Sequence, residues 1–551
     1  MKVKAMTVSL ACRAHSGLHA GIARWARSVL REFPISPPQA LARLRVRENS
    51  RAAVATSMVR ASRPPAVALL AALALLAGCA TRPDGERATI HRWTQLEASG
   101  GVSLRAIVAA PSACPVAIVD GLARPLLLRA RATSAAEPGH PATDNPAFQP
   151  DFPVTSCELA LPASTRQASL DGQVMALPKS PPRRIVVVGD TGCRIKVPAS
   201  GAGDPIQDCT RPTNWPWQRV ASAAARTRPD LVIHLGDYHY REYCDNPALC
   251  APSRAKGVLI GYDWAGWNAD FFVPASPLLA AAPWVVVRGN HENCDRGGAG
   301  WMRFLSPVPY QACGNQSYRS ATRSVLANNL TADAYRIDLD GGPTLIVADN
   351  AGHEDYRPAS ATPLDEATFA RTLSALLTLP PTPAAWLLIH RPIWYELLAA
   401  SSPTNALQAV LAGRLPANVQ LIFSGHEHAL QTINFAPTAD PASYPAGRPA
   451  QVIVGASGTQ LEAFDPPSPL YEGRSAAGSK ERAQPDGRLY DGVAASSGIL
   501  LNRYSFLLLE REDAGWAGTL LDADGRTLGN CRVHGDRKEI ACRFPGRFPG
   551  R

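Results

Sequence analysis

Short, mostly apolar runs recur through the middle of the chain, and each ends on a polar cluster or a glycine. Ile185–Val188 (IVVV) runs into Gly189–Asp190, and LVIHL runs into Gly236–Asp237. WVVV runs into RGNHE, WLLI into His390, and LIFS into GHEH, while TLIV and QVIV follow the same habit. A run with no alternation reads as a strand buried on both faces. Between the runs lie stretches of helical composition. WQRVASAAARTRPD stops at Pro229, and others fall around Phe272–Ala282, Glu366–Leu379 and Ala406–Leu411. Strands alternating with helices predict an α/β architecture with buried sheets, and Tyr504–Cys542 adds further strands. Every polar cluster falls just past the C-terminal end of a strand, the edge at which open α/β sheets bind ligands.

Before this pattern the chain reads differently. After Cys79, short runs such as CPVAIVDGL, RPLLLRARA and SCELALP are separated by Gly, Pro and Ser, which predicts a small β-rich domain. The Pro-rich ALPKSPPRR (Ala176–Arg184) reads as the linker out of it. The expected division is therefore 80–180 for the β-rich domain with its linker and 181–551 for an α/β domain with C-terminal strands.

Net charge changes the picture less than its value suggests. The formal charge is +10, from 56 Lys/Arg against 46 Asp/Glu. Residues 1–79 hold 12 of the positive and 2 of the negative residues, so 80–551 carry 44 of each sign. No overall attraction to nucleic acid is expected.

The excess charge lies beside a targeting pattern. From Met58 the chain reads MVRASRPPAVALLAALALLAGCATRPD, with Arg60 and Arg63 ahead of the apolar run Ala66–Ala77. That run is short for a membrane helix and suits a signal segment over 58–79. LAGC at Leu76–Cys79 resembles a bacterial lipoprotein box, which implies lipidation at Cys79. Ala80 then implies export to the outer membrane, facing the periplasm or the cell surface. Residues 1–57 read as an extension, untranslated or disordered. Cysteine use agrees with an oxidising compartment. Setting aside Cys12 and Cys79 leaves ten of the 12, with no C-x-x-C. Pairing sequence neighbours gives Cys114–Cys157, Cys193–Cys209, Cys244–Cys250, Cys294–Cys313 and Cys531–Cys542, although sequence does not fix connectivity.

The strand ends carry the candidate chemistry. They offer Asp190 in GDTG, Asp237 and Tyr240 in GDYHY, Asn290, His291 and Glu292 in GNHE, His390 in LLIHRP, and His426 and His428 in GHEH. Carboxylate, phenol, amide and imidazole are oxygen and nitrogen donors without thiolate, a set that suits iron, manganese or zinc. Singly, each motif also fits a solvated loop. Together, at successive strand ends, they describe one site. His239, His353 and Arg391 are further candidates near it.

The order GD-x-G, GD-x-x-Y, GNHE, strand-end His and GH-x-H resembles the calcineurin-like metallophosphoesterases, and within them the purple acid phosphatases, over roughly Arg184–Leu461. The resemblance implies a sandwich of two mixed β-sheets flanked by helices. It implies Fe(III) held by Asp190, Asp237, Tyr240 and His428, and a divalent metal (Fe, Zn or Mn) held by Asp237, Asn290, His390 and His426. It also implies a phosphate contact from His291. One departure stands out. Most phosphodiesterases of the superfamily place a metal-ligating His where this chain has Gly192, and Tyr240 matches the tyrosine that replaces it in purple acid phosphatases. The expected function is hydrolysis of phosphate monoesters by a metal-bound hydroxide, acting on a small phosphorylated substrate, with membrane contact through a lipid anchor. The alternatives are a phosphodiesterase with the same dimetal site and, in another class, a non-catalytic surface lipoprotein with a vestigial fold.

Overall fold

The computed structural model describes residues 89–134, 151–201, 205–313 apart from 295, 334–351, 384–394, 414–437, 441–462 and 493–544 apart from 514, with a few isolated positions between them. The extension 1–57, the signal segment 58–79 with Cys79, His353 and most of the helical stretches 366–379 and 406–411 lie outside the described residues.

The β-rich segment supplies β1 (Thr89–Leu96), β2 (Val102–Ala109), β3 (Leu127–Ala130) and β4 (Val154–Leu161). A small sheet of Val116–Val119, Leu122–Pro125, Ala168–Leu170 and Gln173–Val174 accompanies them. Next come β5 (Arg184–Val188), β6 (Leu231–His234) and β7 (Trp284–Val286), which are parallel, with Val187 opposite Ile233 and Ile233 opposite Val285. The second half supplies β8 (Tyr335–Asp338), β9 (Thr344–Val347), β10 (Ala385–Leu388), β11 (Val419–Ser424), β12 (Leu430–Asn434), β13 (Ala450–Val454) and β14 (Ser497–Leu501). Four antiparallel strands close the described chain: β15 (Ser505–Glu512), β16 (Gly515–Asp522), β17 (Thr527–His534) and β18 (Glu539–Arg543).

These strands make two large mixed sheets. One has eleven strands in the order β18-β17-β16-β15-β5-β6-β7-β1-β2-β4-β3. The other has eight, β8-β9-β10-β11-β13-β12-β14 followed by the short strand Tyr471–Glu472. The expected sandwich of mixed sheets is the architecture found. The β-rich segment does not stand apart from the first sheet, because β1 lies parallel to β7 with Gln95 opposite Trp284.

The unalternating strands have their reason in packing. Ile185 and Val187 face the second sheet, in one core with Leu231, Ile233, Val285, Leu345, Trp386, Leu421, Phe423 and Val452. Val186 and Val188 point the other way, into a core with Trp217, Val220, Phe271, Phe272, Ala275 and Leu278. Helix α1 (Trp217–Arg226) covers this outer face with Trp217, Val220, Ala221 and Ala224, a helical stripe of i, i+3, i+4 and i+7 positions. Each buried Val or Ile contributes on the order of 1.5–3 kcal/mol. The outer face of the second sheet is covered likewise, around Ile346, Leu387, Ile389 and Ile422. The five disulfides join the neighbours expected from the sequence.

Candidate metal centre

The parallel strands of both sheets deliver their C-terminal ends to one line. β5 ends before Gly189–Asp190, β6 before Gly236–Asp237, β10 before His390 and β11 before Gly425–His426. Three of the residues that arrive there take left-handed backbone angles: Asp190 (φ 55°), Asp237 (φ 57°) and His426 (φ 73°). Outside glycine this conformation costs about 1–3 kcal/mol and persists only where the surroundings enforce it. Here it aims side chains from sharp turns into a common centre.

All seven metal-ligand candidates meet in that centre, as two groups that share Asp237. In the first, the Tyr240 hydroxyl lies 2.7 Å from Asp237 Oδ2, 3.1 Å from Asp190 Oδ1 and 2.9 Å from His428 Nε2. In the second, Asn290 Oδ1 is 2.9 Å from both His390 Nε2 and His426 Nδ1, and His390 Nε2 is 3.2 Å from Asp237 Oδ2. Asp237, His390 and His426 present their ligand atoms within 4.8 Å of one another. The second ring nitrogens are engaged elsewhere. His390 Nδ1 lies 2.8 Å from the carbonyl of Leu235, and His428 Nδ1 lies 3.3 Å from Glu462. Such outer partners fix the tautomer that leaves the inward nitrogen free for a metal.

The donor set fits a pair of cations. Asp190, Asp237 and Tyr240 are buried with their oxygens in mutual contact. Burial, with the charge of Asp237 added, pushes the Asp190 carboxyl well above its ordinary range. Burial and both carboxylates push the Tyr240 phenol up too. Buried carboxylates crowded on a phenol need nearby positive charge to ionise together. Gly192 explains how the phenol reaches them. A Cβ at 192 would stand 2.6 Å from the Tyr240 backbone nitrogen and 2.9 Å from its Cδ2. The missing side chain at 192 is the space that Tyr240 occupies.

The remaining candidates are placed as follows. His291 packs against Tyr240 with the ring centroids 3.8 Å apart and the planes tilted by 41°, and its Nε2 is 3.8 Å from Asp237 Oδ2. Burial first, then Arg296, lowers its pKa to about 3. Arg391 Nη1 lies 3.4 Å from His426 Nε2, so it belongs to the site. His239 is buried against Trp267, with Nδ1 3.5 Å from Asp270, and makes no contact with the cluster among the described residues.

Sequence reading missed Asp270, which binds the loops together, and it named Glu292 only as part of the GNHE cluster. Asp270 accepts the backbone N–H of Cys193 (2.8 Å) and of Tyr240 (2.7 Å), and it pairs with Arg241. Glu292 accepts the N–H groups of Asp237, Tyr238, His239 and Gly289. Asp270 lies in a widened helical turn (Asn268–Phe272) with no motif around it, so no local signal marks it.

Residues 183–430 match the profile of the calcineurin-like phosphoesterase family. Purple acid phosphatase 22 of Arabidopsis thaliana is 26% identical over 212 residues, which cover 36% of this chain and 43% of that protein. The chain thus spans under half the length of this curated relative. Among solved structures, a purple acid phosphatase from yellow lupin (Lupinus luteus) seeds superposes with a TM-score of 0.46 at 14% identity, covering 81% of this chain and 74% of the other. PhoD gives 0.44 at 10% identity, over 86% and 95%. The two-pole donor cluster lies inside this matched segment, and residues 183–430 are similar to the calcineurin-like phosphoesterases.

Proposed function

We propose that this chain is a phosphate monoesterase of purple acid phosphatase type. The observation that carries the reading is the contact of the Tyr240 hydroxyl with Asp190, Asp237 and His428. An anionic phenolate beside two carboxylates favours a trivalent ion, hence Fe(III), with Fe, Zn or Mn in the pole of Asp237, Asn290, His390 and His426. Such a metal pair supplies Lewis acidity at phosphorus and lowers the pKa of a coordinated water. The protein's own groups do the rest. Asp237 ties the two poles through one carboxylate. Asn290 offers a neutral oxygen, which keeps the second pole less negative than the first. His291 and Arg391 stand beside the cluster, where His291 orients the phosphoryl group and Arg391 offsets its charge. Residues 80–551 would reach their compartment through the signal pattern, anchored by lipid on Cys79, and mass spectrometry of the mature N-terminus tests that step. Among the described residues no helix is long and apolar enough to cross a membrane.

The deciding experiment is the visible absorption spectrum of the purified protein beside Tyr240→Phe. We expect a charge-transfer band in the wild type that is absent from the variant. A colourless wild type that carries metal and hydrolyses esters would instead assign a Mn or Zn enzyme. Rates on para-nitrophenyl phosphate and on its bis-ester, measured on the same sample, test the monoester preference. Faster cleavage of the diester would overturn it.

A further inference from the structure

A sheet with one face toward water is ordinarily apolar inward and polar outward. The small sheet of the β-rich segment breaks that rule. In its strand Val116–Val119, Ala117 and Val119 enter a core with Leu104, Ala106 and Leu161, while Val116 and Ile118 point outward. Residues directly opposite each other share a face. Val116 stands opposite Pro125, and Ile118 stands between Ala123 and Ser169. Ser169 in turn stands opposite Val174. The outer face is thus five apolar residues around a single serine. Val116 and Ile118 are 43% and 44% exposed, and Val174 is 71% exposed. Eleven large apolar side chains are exposed among the described residues, and six of them lie between positions 116 and 174: these three with Leu122, Leu127 and Leu128. A surface that meets only water scatters such residues, and gathering them marks a contact surface.

Charge and the path of the chain say what this face meets. The carboxylates of its two hairpin turns are engaged. Asp120 accepts the N–H groups of Arg166 and Gln167, and Asp171 pairs with Arg92. Arg124 and Arg166 are exposed and make no ion pair among the described residues. An apolar face bordered by such cations matches a bilayer with anionic headgroups, because long basic side chains reach lipid phosphates while their stems stay in apolar surroundings. The described chain also begins at this sheet. Arg92, near the start of β1, donates to the carbonyl of Leu170 and to the side chain of Gln173. Ten residues lead from Cys79 to Thr89, so a lipid on that cysteine would be at most about 36 Å of extended chain from β1.

We propose that the outer face of the small sheet is a membrane-docking surface: Val116, Ile118 and Val174, with Leu122 beside them, enter the headgroup region of a bilayer, and Arg124 and Arg166 pair with anionic lipid phosphates. A lipid on Cys79 would hold the chain near the bilayer, and this face would set its orientation there. The proposal rests on the lipoprotein reading in one respect, that a bilayer lies within reach. It does not depend on the reaction.

The test is co-sedimentation of the lipid-free mature chain, residues 80–551, with vesicles. Arg82–Arg551 form one compact unit, so this chain keeps the sheet in its setting. We expect the wild type to partition onto vesicles of phosphatidylglycerol and phosphatidylcholine, less onto phosphatidylcholine alone, and less again at high salt. Ile118→Asp/Val174→Asp should lower the partition coefficient at least about tenfold, because apolar area buried in the headgroup region sets the binding strength. Arg124→Gln/Arg166→Gln should remove the preference for phosphatidylglycerol. Should the acidic variant fail to fold, Ile118→Thr/Val174→Thr keeps the strand propensity and carries the same comparison. A wild type that binds neither kind of vesicle, or an acidic variant that binds as the wild type does, would overturn the proposal. So would a dimer in sedimentation velocity that the same substitutions dissociate, since a second copy would then cover the face. Mass spectrometry of the mature N-terminus separates the two claims. A terminus without lipid, on protein that still binds vesicles through these residues, defeats the anchor and supports the docking face.

Discussion

A methyl group at position 192 would collide with the backbone nitrogen and the ring of Tyr240. The backbone nitrogen cannot rotate away, so the chain must shift, at about 1–3 kcal/mol for overpacking. We therefore expect Gly192→Ala to fold with a lowered melting temperature and to displace the phenol. In iron-loaded protein its charge-transfer band should weaken, and monoester hydrolysis should fall at least about tenfold, as when a ligand's support is lost. A variant with wild-type spectrum and rate would show that Tyr240 does not depend on the space at 192. The sequence made the site residues legible because they cluster just past the ends of apolar strands, several of them beside a glycine, where little else explains a polar cluster. It left Asp270 unmarked. Its meaning lies in contacts 30 to 77 residues distant. No local period or motif encodes such contacts.

Each of the first three site loops is followed at once by a half-cystine. Cys193 comes three residues after Asp190, Cys244 four after Tyr240, and Cys294 four after Asn290. Their partners are 16, 6 and 19 residues further on. Loops that hold ligands in left-handed angles need such restraint, since the strain must be offset by the surroundings. Removing Cys193–Cys209 by serine substitution should cost about 3 kcal/mol of stability, read as a lowered denaturation midpoint. It should also weaken metal retention against a chelator. Asp270→Asn examines the other restraint on the same loop. The carboxylate accepts from three backbone N–H groups, of Cys193, Tyr240 and Arg241, and pairs with the Arg241 side chain, and an amide NH2 turned toward those donors should cost about 1–3 kcal/mol. The two variants should be less than additive, because both release the chain at Cys193, and full additivity would show the restraints to be independent. The strands between these loops were legible as apolar runs. β12 was not, because LQTIN mixes polar and apolar residues and is a strand only through its pairing with β13 and β14.

At the scale of the molecule, the β-rich segment is built into the phosphoesterase sheet. The strands within CPVAIVDGL, RPLLLRARA and SCELALP were legible from their short apolar runs, and β1, with its mixed TIHRWTQL, was not. Nor was the place where β1 docks, because β7 lies far along the chain and the pairing of Gln95 with Trp284 leaves no trace in either local sequence. Two buried arginines deepen the connection. Arg129 donates to the carbonyls of Met302, Arg303, Ser306 and Val308, and Arg105 donates to those of Phe304 and Ser306. Those carbonyls end the helix Gly298–Phe304, which follows directly on the loop of Asn290 and His291. The last turn of a helix leaves carbonyls without internal partners, and here the β-rich segment supplies the donors. The charges of Arg105 and Arg129 are met by Glu97 and Glu158, so the caps are paired as well as buried. Two consequences follow for unfolding. The protein should melt in one calorimetric transition, since neither part keeps its sheet edge and helix end satisfied alone. A chain starting at residue 181 should be insoluble, with β7 exposed as a bare edge. Arg129→Met tests the same coupling with one side chain. It strands the carbonyls of Met302 and Val308, since Arg105 and Ser156 still donate to those of Ser306 and Arg303, at about 1–3 kcal/mol each before relaxation, so the transition should drop by several degrees. It should stay single while it drops. A split into two transitions, or a soluble and active chain from residue 181, would mean that the sheet is shared in geometry but not in stability.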